Sequence, residues 1–312
     1  MSESLHLVFC GTPSFAVPTL EQLVKAGFLL NLVVTQPDRP RGRGLELAPS
    51  PVKARALELG LPVTQPATIK QNEDFRAQLS AIHPDAIIVV GYGRIVPQWM
   101  IDLPRFGNIN LHASLLPKYR GAAPIQWAIA RGESVTGVTT MRIDQGLDTG
   151  DILLQKDVQI GPDDTAETLA PKLAALGADL TAQTLRQLEA GTIHPRPQDH
   201  SQATLAPILR KEDGRIDFQR SAQEICNRMR GFQPWPGAFT SFRQKNLHVW
   251  SCRPTENQLA SAELAIIENR LIVGCGQGSA LELLELQPEG KKRMTARDFI
   301  HGYRPHPREK LG

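Results

Sequence analysis

Cysteine is scarce and scattered: the 312 residues hold four, Cys10, Cys226, Cys252 and Cys275, and no Cys-x-x-Cys pair. That argues against a disulfide framework and a thiolate zinc site, and the thiols are expected to be reduced. The eight histidines are equally dispersed, with none beside another His or a Cys at ligand spacing, so no metal is expected. Long apolar runs are missing too. The longest, such as Ala86-Ile-Ile-Val-Val90, have the length of a strand and fall far short of the ~20 residues of a membrane span. Met1-Ser-Glu-Ser-Leu-His enters a strand pattern directly, without the basic and apolar blocks of a secretory leader, and a cytoplasmic protein with no membrane partner is expected. The first turn, Gly11-Thr-Pro13, lacks Gly-x-Gly-x-x-Gly, so the dinucleotide fingerprint is absent and a nicotinamide cofactor is not expected.

What is present is an ordinary globular composition, 41% apolar, in a chain long enough for two domains. Strand patterns at residues 5–9, 30–35, 86–90 and 107–111 alternate with helical patterns near 15–26, 52–59 and 72–82. The alternation predicts an α/β fold, a Rossmann-like doubly wound parallel sheet with helices on both faces. Strands over 137–143 and 151–160 and a helix over 165–188 complete a first domain, residues 1–190. Residues 191–206 lose periodicity and gain prolines, the mark of a linker. Beyond it a helix near 222–230 and short strands at 238–243, 246–251, 263–268, 271–275 and 280–286 predict a second, smaller OB-like β-barrel domain over 207–312. Charge divides between the parts: residues 1–206 carry 18 Lys+Arg against 20 Asp+Glu, a balance of −2, and residues 207–312 carry 17 against 12, a balance of +5. A basic excess favours a phosphate-rich partner, though ordinary soluble surfaces also scatter this far.

The most informative stretch is Asn110-Leu-His112-Ala-Ser114-Leu-Leu-Pro117-Lys-Tyr-Arg120-Gly121, with Asp148 in Gly146-Leu-Asp-Thr-Gly150 thirty-six residues after His112. Asn110 and His112 are two apart on a short strand, so their side chains share one face. Pro117, Gly121 and Pro124 then break the strand and force a loop over its carboxyl end, where open parallel sheets bind ligands. A carboxamide to donate to an oxyanion, an imidazole to carry a proton and a carboxylate to orient it suit acyl-group transfer. Taken singly, each residue could equally be a satisfied core histidine, a turn cap or a turn aspartate.

Between residues 35 and 52 lies a long irregular loop in which Arg39, Arg41 and Arg43 alternate with Pro and Gly. Loops of this length in compact domains are functional or disordered. Guanidinium groups held outward this way suit phosphates and unstacked bases, and composition leaves a solvated surface loop equally open.

The run from Asn110 to Gly121 with its downstream Gly-Leu-Asp-Thr-Gly-Asp resembles the folate-dependent formyltransferases, most closely the branch whose acceptor is methionyl-tRNA. The likeness extends from Leu5 to about Arg304. It implies that Asn110, His112 and Asp148 are catalytic and that Ser114, Leu115, Leu116 and Pro117 contact tetrahydrofolate, with the pteridine against Val90, Gly91 and Tyr92. It further implies 10-formyltetrahydrofolate as formyl donor and formylmethionyl-tRNA for translation initiation as product. The loop of Arg39, Arg41 and Arg43 then reaches the acceptor stem of initiator methionyl-tRNA, and the 207–312 domain binds the same RNA. A monomer is expected. Two other readings remain open, a formyltransferase acting on an amino sugar nucleotide and a non-catalytic RNA-binding protein. The second leaves Asn110, His112 and Asp148 without a purpose.

Overall fold

The computed structural model of the chain describes residues 5–41, 46–306 and 308–312. In chain order the first elements are β1 (His6–Gly11), α1 (Val17–Lys25), β2 (Leu29–Val34), β3 (Arg39–Arg41), β4 (Glu46–Ala48), α2 (Pro51–Glu58), β5 (Val63–Thr64) and α3 (Glu73–Ile82). There follow β6 (Ala86–Val90), α4 (Gln98–Ile101), β7 (Asn108–His112), α5 (Pro124–Ala130), β8 (Val135–Arg142), β9 (Ile152–Gln159) and α6 (Ala166–Glu189). The rest comprises α7 (Ala222–Gly231), β10 (Phe239–Phe242), β11 (Lys245–Thr255), β12 (Leu264–Ile267), β13 (Arg270–Gly274), β14 (Ala280–Pro288), β15 (Met294–Thr295) and α8 (Ala296–Tyr303). Two compact units divide the chain: residues 1–121, 136–158 and 170–205, and residues 122–135, 159–169 and 206–312.

The first unit is built on a seven-stranded sheet in the order β5-β2-β1-β6-β7-β8-β9. Its β5-β2-β1-β6-β7 part is parallel, as the alternation of strands and helices predicts. The apolar runs of β1 and β6 are buried on both faces, which is the condition for a central parallel strand. Val8, Cys10, Ile87 and Val89 pack with Phe75 and Leu79 of α3, and Leu7, Phe9 and Ile88, on the opposite face by strand alternation, are also fully buried. β8 departs from the expected all-parallel sheet by pairing antiparallel to β7, with Asn110 opposite Met141 and His112 opposite Thr139. A turn without a helix joins β8 to β9, and antiparallel strands need no crossover. On one face of β7, Leu111 lies against Gly177 of α6, where a Cβ would come within 2.6 Å of its side chain. That packing fixes Asn110 and His112 on the other face.

The segment expected to be a linker is packed against this unit. Arg196 and Ile152 exchange backbone hydrogen bonds of 2.9 Å in both directions, and Gln198 is buried.

The second unit holds an antiparallel sheet in the order β10-β11-β14-β13-β12, with β15 on β14. Register shifts near Ser251 bend β11, and the sheet curls into a half-barrel. Leu247, Val249, Leu281, Leu283 and Leu286 from its inner face pack with Ile225 and Met229 of α7 and Phe299 of α8. Residues 122–135 join this unit because Trp127 of α5 meets Phe232 edge-on at 5.2 Å, in a small apolar cluster with Leu209.

A capping box starts α7: Ser221 Oγ accepts from Glu224 N at 3.3 Å, and the Glu224 carboxylate accepts from Ser221 N at 2.9 Å. Those bonds from Ser221 hold the Glu224 carboxyl below its ordinary range, so its contribution is present at neutral pH and is lost as acid carries the solution through the lowered value. Ser221→Ala is expected to cost about 1 kcal/mol in chemical denaturation of the whole chain. An unchanged midpoint would show that the box adds nothing.

Candidate active site

β7 ends at His112, whose imidazole is 6% exposed. Its Nε2 lies 2.8 Å from the carbonyl oxygen of Tyr119. A carbonyl can only accept, so Nε2 carries a hydrogen, and Nδ1 is the ring nitrogen left to exchange a proton. Nδ1 faces Asp148 Oδ2 at 3.7 Å, beyond hydrogen-bond length. The same oxygen accepts from Gly121 N at 2.8 Å. Tyr119 and Asp148 both have left-handed backbones, φ +62° and +52°, sparsely populated for residues with side chains. Asn110, half-buried on the same face of β7, has no side-chain hydrogen bond among the described residues. The structure therefore brings His112 and Asp148 together with Asn110 on one strand face, and presents an amide donor and an imidazole nitrogen to the same side.

The Ser114–Pro117 turn is pinned from beneath. Ser114 Oγ donates to Lys118 O at 2.6 Å, Thr139 Oγ1 donates to Ser114 O at 2.6 Å, and Gln155 Nε2 donates to Leu116 O at 2.9 Å. Ser114 and Leu116 are buried, the latter with Met141 and Ile152, so Leu115 and Pro117 are the side chains the turn presents. Val90 and Tyr92 also point inward, and burial pushes the Tyr92 phenol up. Between them Gly91 is exposed with φ +56°, and a Cβ there would approach Pro13 to 2.8 Å. Of the three, Gly91 alone presents backbone.

The Pro and Gly content of residues 35–52 predicts a loop without regular structure, yet β3 and β4 pair antiparallel there, with Arg39 opposite Ala48 and Arg41 opposite Glu46. Backbone pairing across the loop supplies a frame to which residue type gives no clue. Arg39 is exposed and donates to Gln36 Oε1 at 2.8 Å, Arg41 is in β3, and Arg43 lies outside the described residues. At the base of the loop Asp38 accepts from Lys53 at 2.6 Å and Gln65 at 2.7 Å, bonds that hold its carboxyl below the usual range.

Four residues in this region make contacts that the sequence does not assign to them. Gln36 Nε2 donates to Tyr92 O at 2.8 Å and so ties the loop to the Gly91 turn. Tyr119 and Gly121 act through backbone atoms, which any residue type supplies. Gln198, in the aperiodic segment 191–206, donates from Nε2 to Asp148 O at 2.9 Å and Gly150 O at 2.7 Å. Among the described residues no three His, Cys, Asp or Glu side chains are grouped to hold a metal ion, and no helix is long and apolar enough to cross a membrane.

The family model described as "Formyl transferase" matches residues 5–185, and "Formyl transferase, C-terminal domain" matches residues 208–304. The chain belongs to the formyl transferase family of enzymes, which use folate-derived formyl donors. Its end-to-end relatives include the methionyl-tRNA formyltransferase of Koribacter versatilis, 68% identical over 306 residues and covering 98% of each chain. That of Acidobacterium capsulatum is 61% identical over 310 residues, 99% of this chain and all of its own. Among solved structures, a sugar 3N-formyl transferase with dTDP and 5-N-formyl-THF superposes with a TM-score of 0.67 at 19% identity, over 93% of this chain and 100% of that one. At that identity the likeness is one of fold.

Proposed function

We propose that this chain transfers the formyl group of 10-formyltetrahydrofolate to the α-amino group of methionine on initiator methionyl-tRNA. The observation that carries it is the placement of His112: Nε2 is engaged by Tyr119, while Nδ1 is turned to Asp148 on the face that holds Asn110. An α-amino group titrates near ~7.7–8.0, so much of the acceptor is already nucleophilic at neutral pH. The task left to the protein is orientation and charge stabilisation.

The amine attacks the formyl carbon, and the carbonyl electron pair moves onto oxygen. Asn110 donates its amide hydrogen to that oxyanion. The ammonium proton passes to His112 Nδ1, and the imidazolium so formed is stabilised by the Asp148 carboxylate. Collapse re-forms the carbonyl, breaks the bond to N10, and the departing nitrogen takes the proton back. His112 thus serves through Nδ1 as proton carrier, and as an oxyanion donor only once protonated. Leu115, Pro117 and the Gly91 backbone would hold the folate, on a turn shaped by Ser114 and Leu116.

The direct test supplies purified protein with 10-formyltetrahydrofolate and, separately, initiator methionyl-tRNA, elongator methionyl-tRNA and a dTDP-linked amino sugar. Formylation of the initiator above the others supports the reading, and formylation of the sugar alone overturns it. For the loop, joint replacement of Arg39, Arg41 and Arg43 with Ala is expected to weaken tRNA binding. For every phosphate that the variant no longer neutralises, the slope of log affinity against log salt should become shallower by about 0.7–0.9. Identical slopes for variant and wild type would remove phosphate binding from the role of these arginines.

A further inference from the structure

No hydrogen bond joins His112 and Asp148, which are 3.7 Å apart. Their relative placement must come from third parties, and two are visible. Gly121 N fixes the carboxylate, and Gln198 fixes the backbone behind it. We propose that Gln198 is a positioning residue for the formyl transfer, setting the Asp148 carboxylate against His112 by gripping the carbonyls of Asp148 and Gly150. The assignment rests on the reaction proposed above.

The amide has only one orientation that satisfies its surroundings. Arg120 Nε and Nη2 lie 3.1 and 2.7 Å from Gln198 Oε1, and both are donors. Nε2 must then face the two carbonyl oxygens, each an acceptor. All four bonds are buried or partly so, and Gln198 and Arg120 are 5% and 7% exposed. Without the Gln198 donors, two carbonyls of a turn already strained at Asp148 lose their partner, and the turn relaxes toward water. The other end of the clamp is braced as well: Arg120 N donates to Thr204 O at 2.8 Å, and Tyr119 N donates to Thr204 Oγ1 at 2.9 Å. Residues 198–204 therefore support Asp148 from behind, and also the 119–121 stretch that touches both His112 and Asp148.

Gln198→Glu keeps the acceptor for Arg120 and replaces the donor with an oxygen that repels both carbonyls. Its kcat is expected to fall about 10–100-fold, the usual scale for a partner one bond removed from the chemistry, while KM for both substrates stays within about twofold. Gln198→Met, of similar length with no hydrogen-bonding group, and Arg120→Lys, which offers one donor in place of the fork, should show the same split if the glutamate variant does not fold. A kcat within twofold of wild type in the folded variants, or a raised KM with kcat preserved, overturns the assignment. Failure of the wild type to formylate any acceptor overturns the reading of the reaction itself, a separate result.

Discussion

Replacing His112 or Asn110 with alanine is expected to lower formylation turnover by about 10²–10³-fold, the loss typical of a missing oxyanion donor for Asn110 and within the range of a missing proton carrier for His112, with tRNA affinity near that of wild type. The expectation follows from where the two side chains spend their polar atoms. His112 Nε2 is committed to Tyr119 O, so the ring is held in place and only Nδ1 is free to take up a proton. Asn110 has no competing hydrogen bond among the described residues, so its amide can be spent wholly on the transition state. Neither group is expected to hold the RNA. Because both act on one transition state, the double variant should lose less than the product of the single losses. Single-turnover formylation and tRNA binding measured on the same preparations check the claim. A variant that loses tRNA affinity and keeps its chemistry would remove the residue from the reaction.

Much of this arrangement is legible in the sequence, for a physical reason. Asn110 and His112 are coupled by strand periodicity, and β7 places them on one face. Asp148 is marked by the glycines on either side, and Gly150 proves to be sterically required. The limits are equally physical. The groups that hold His112 and Asp148 are the carbonyl of Tyr119 and the N–H of Gly121, and backbone atoms leave no trace in residue type. Gln198 is 50 residues from Asp148, in a stretch with no period to betray burial. Ser114, Leu116, Val90 and Tyr92 are marked by the family motif, but motif position does not tell an outward side chain from one that shapes the turn beneath. The antiparallel course of β8 is hidden because apolar alternation fixes faces and not direction. Residues 122–135 read as part of the first domain by chain order, whereas Trp127 and Phe232 cluster them with the second unit.

Gly150→Ala should lower kcat by about 10²-fold, although the substitution adds one methyl group and touches no catalytic side chain. The residue is buried at the mouth of the β8–β9 turn, and a Cβ there would sit 1.9 Å from Arg142 O and 2.9 Å from Arg142 C. These are backbone atoms of a sheet strand, with no rotamer to change, so the clash is relieved only by moving residue 150 outward. Its carbonyl is one of the two held by Gln198, and Asp148 is two residues upstream. An outward shift releases the clamp and carries the carboxylate away from His112, and displacement of about 1 Å is enough to cost about 10² in rate. Overpacking itself should destabilise the fold by about 1–3 kcal/mol, which leaves a folded protein to assay. Gly302→Ala, in α8, is the matching control, since a Cβ there meets nothing within 4 Å, and it should leave turnover unchanged. Turnover of Gly150→Ala within about threefold of the control would mean that the turn absorbs the methyl without moving Asp148, and that the coupling between Gly150, Gln198 and the carboxylate is weaker than the geometry implies.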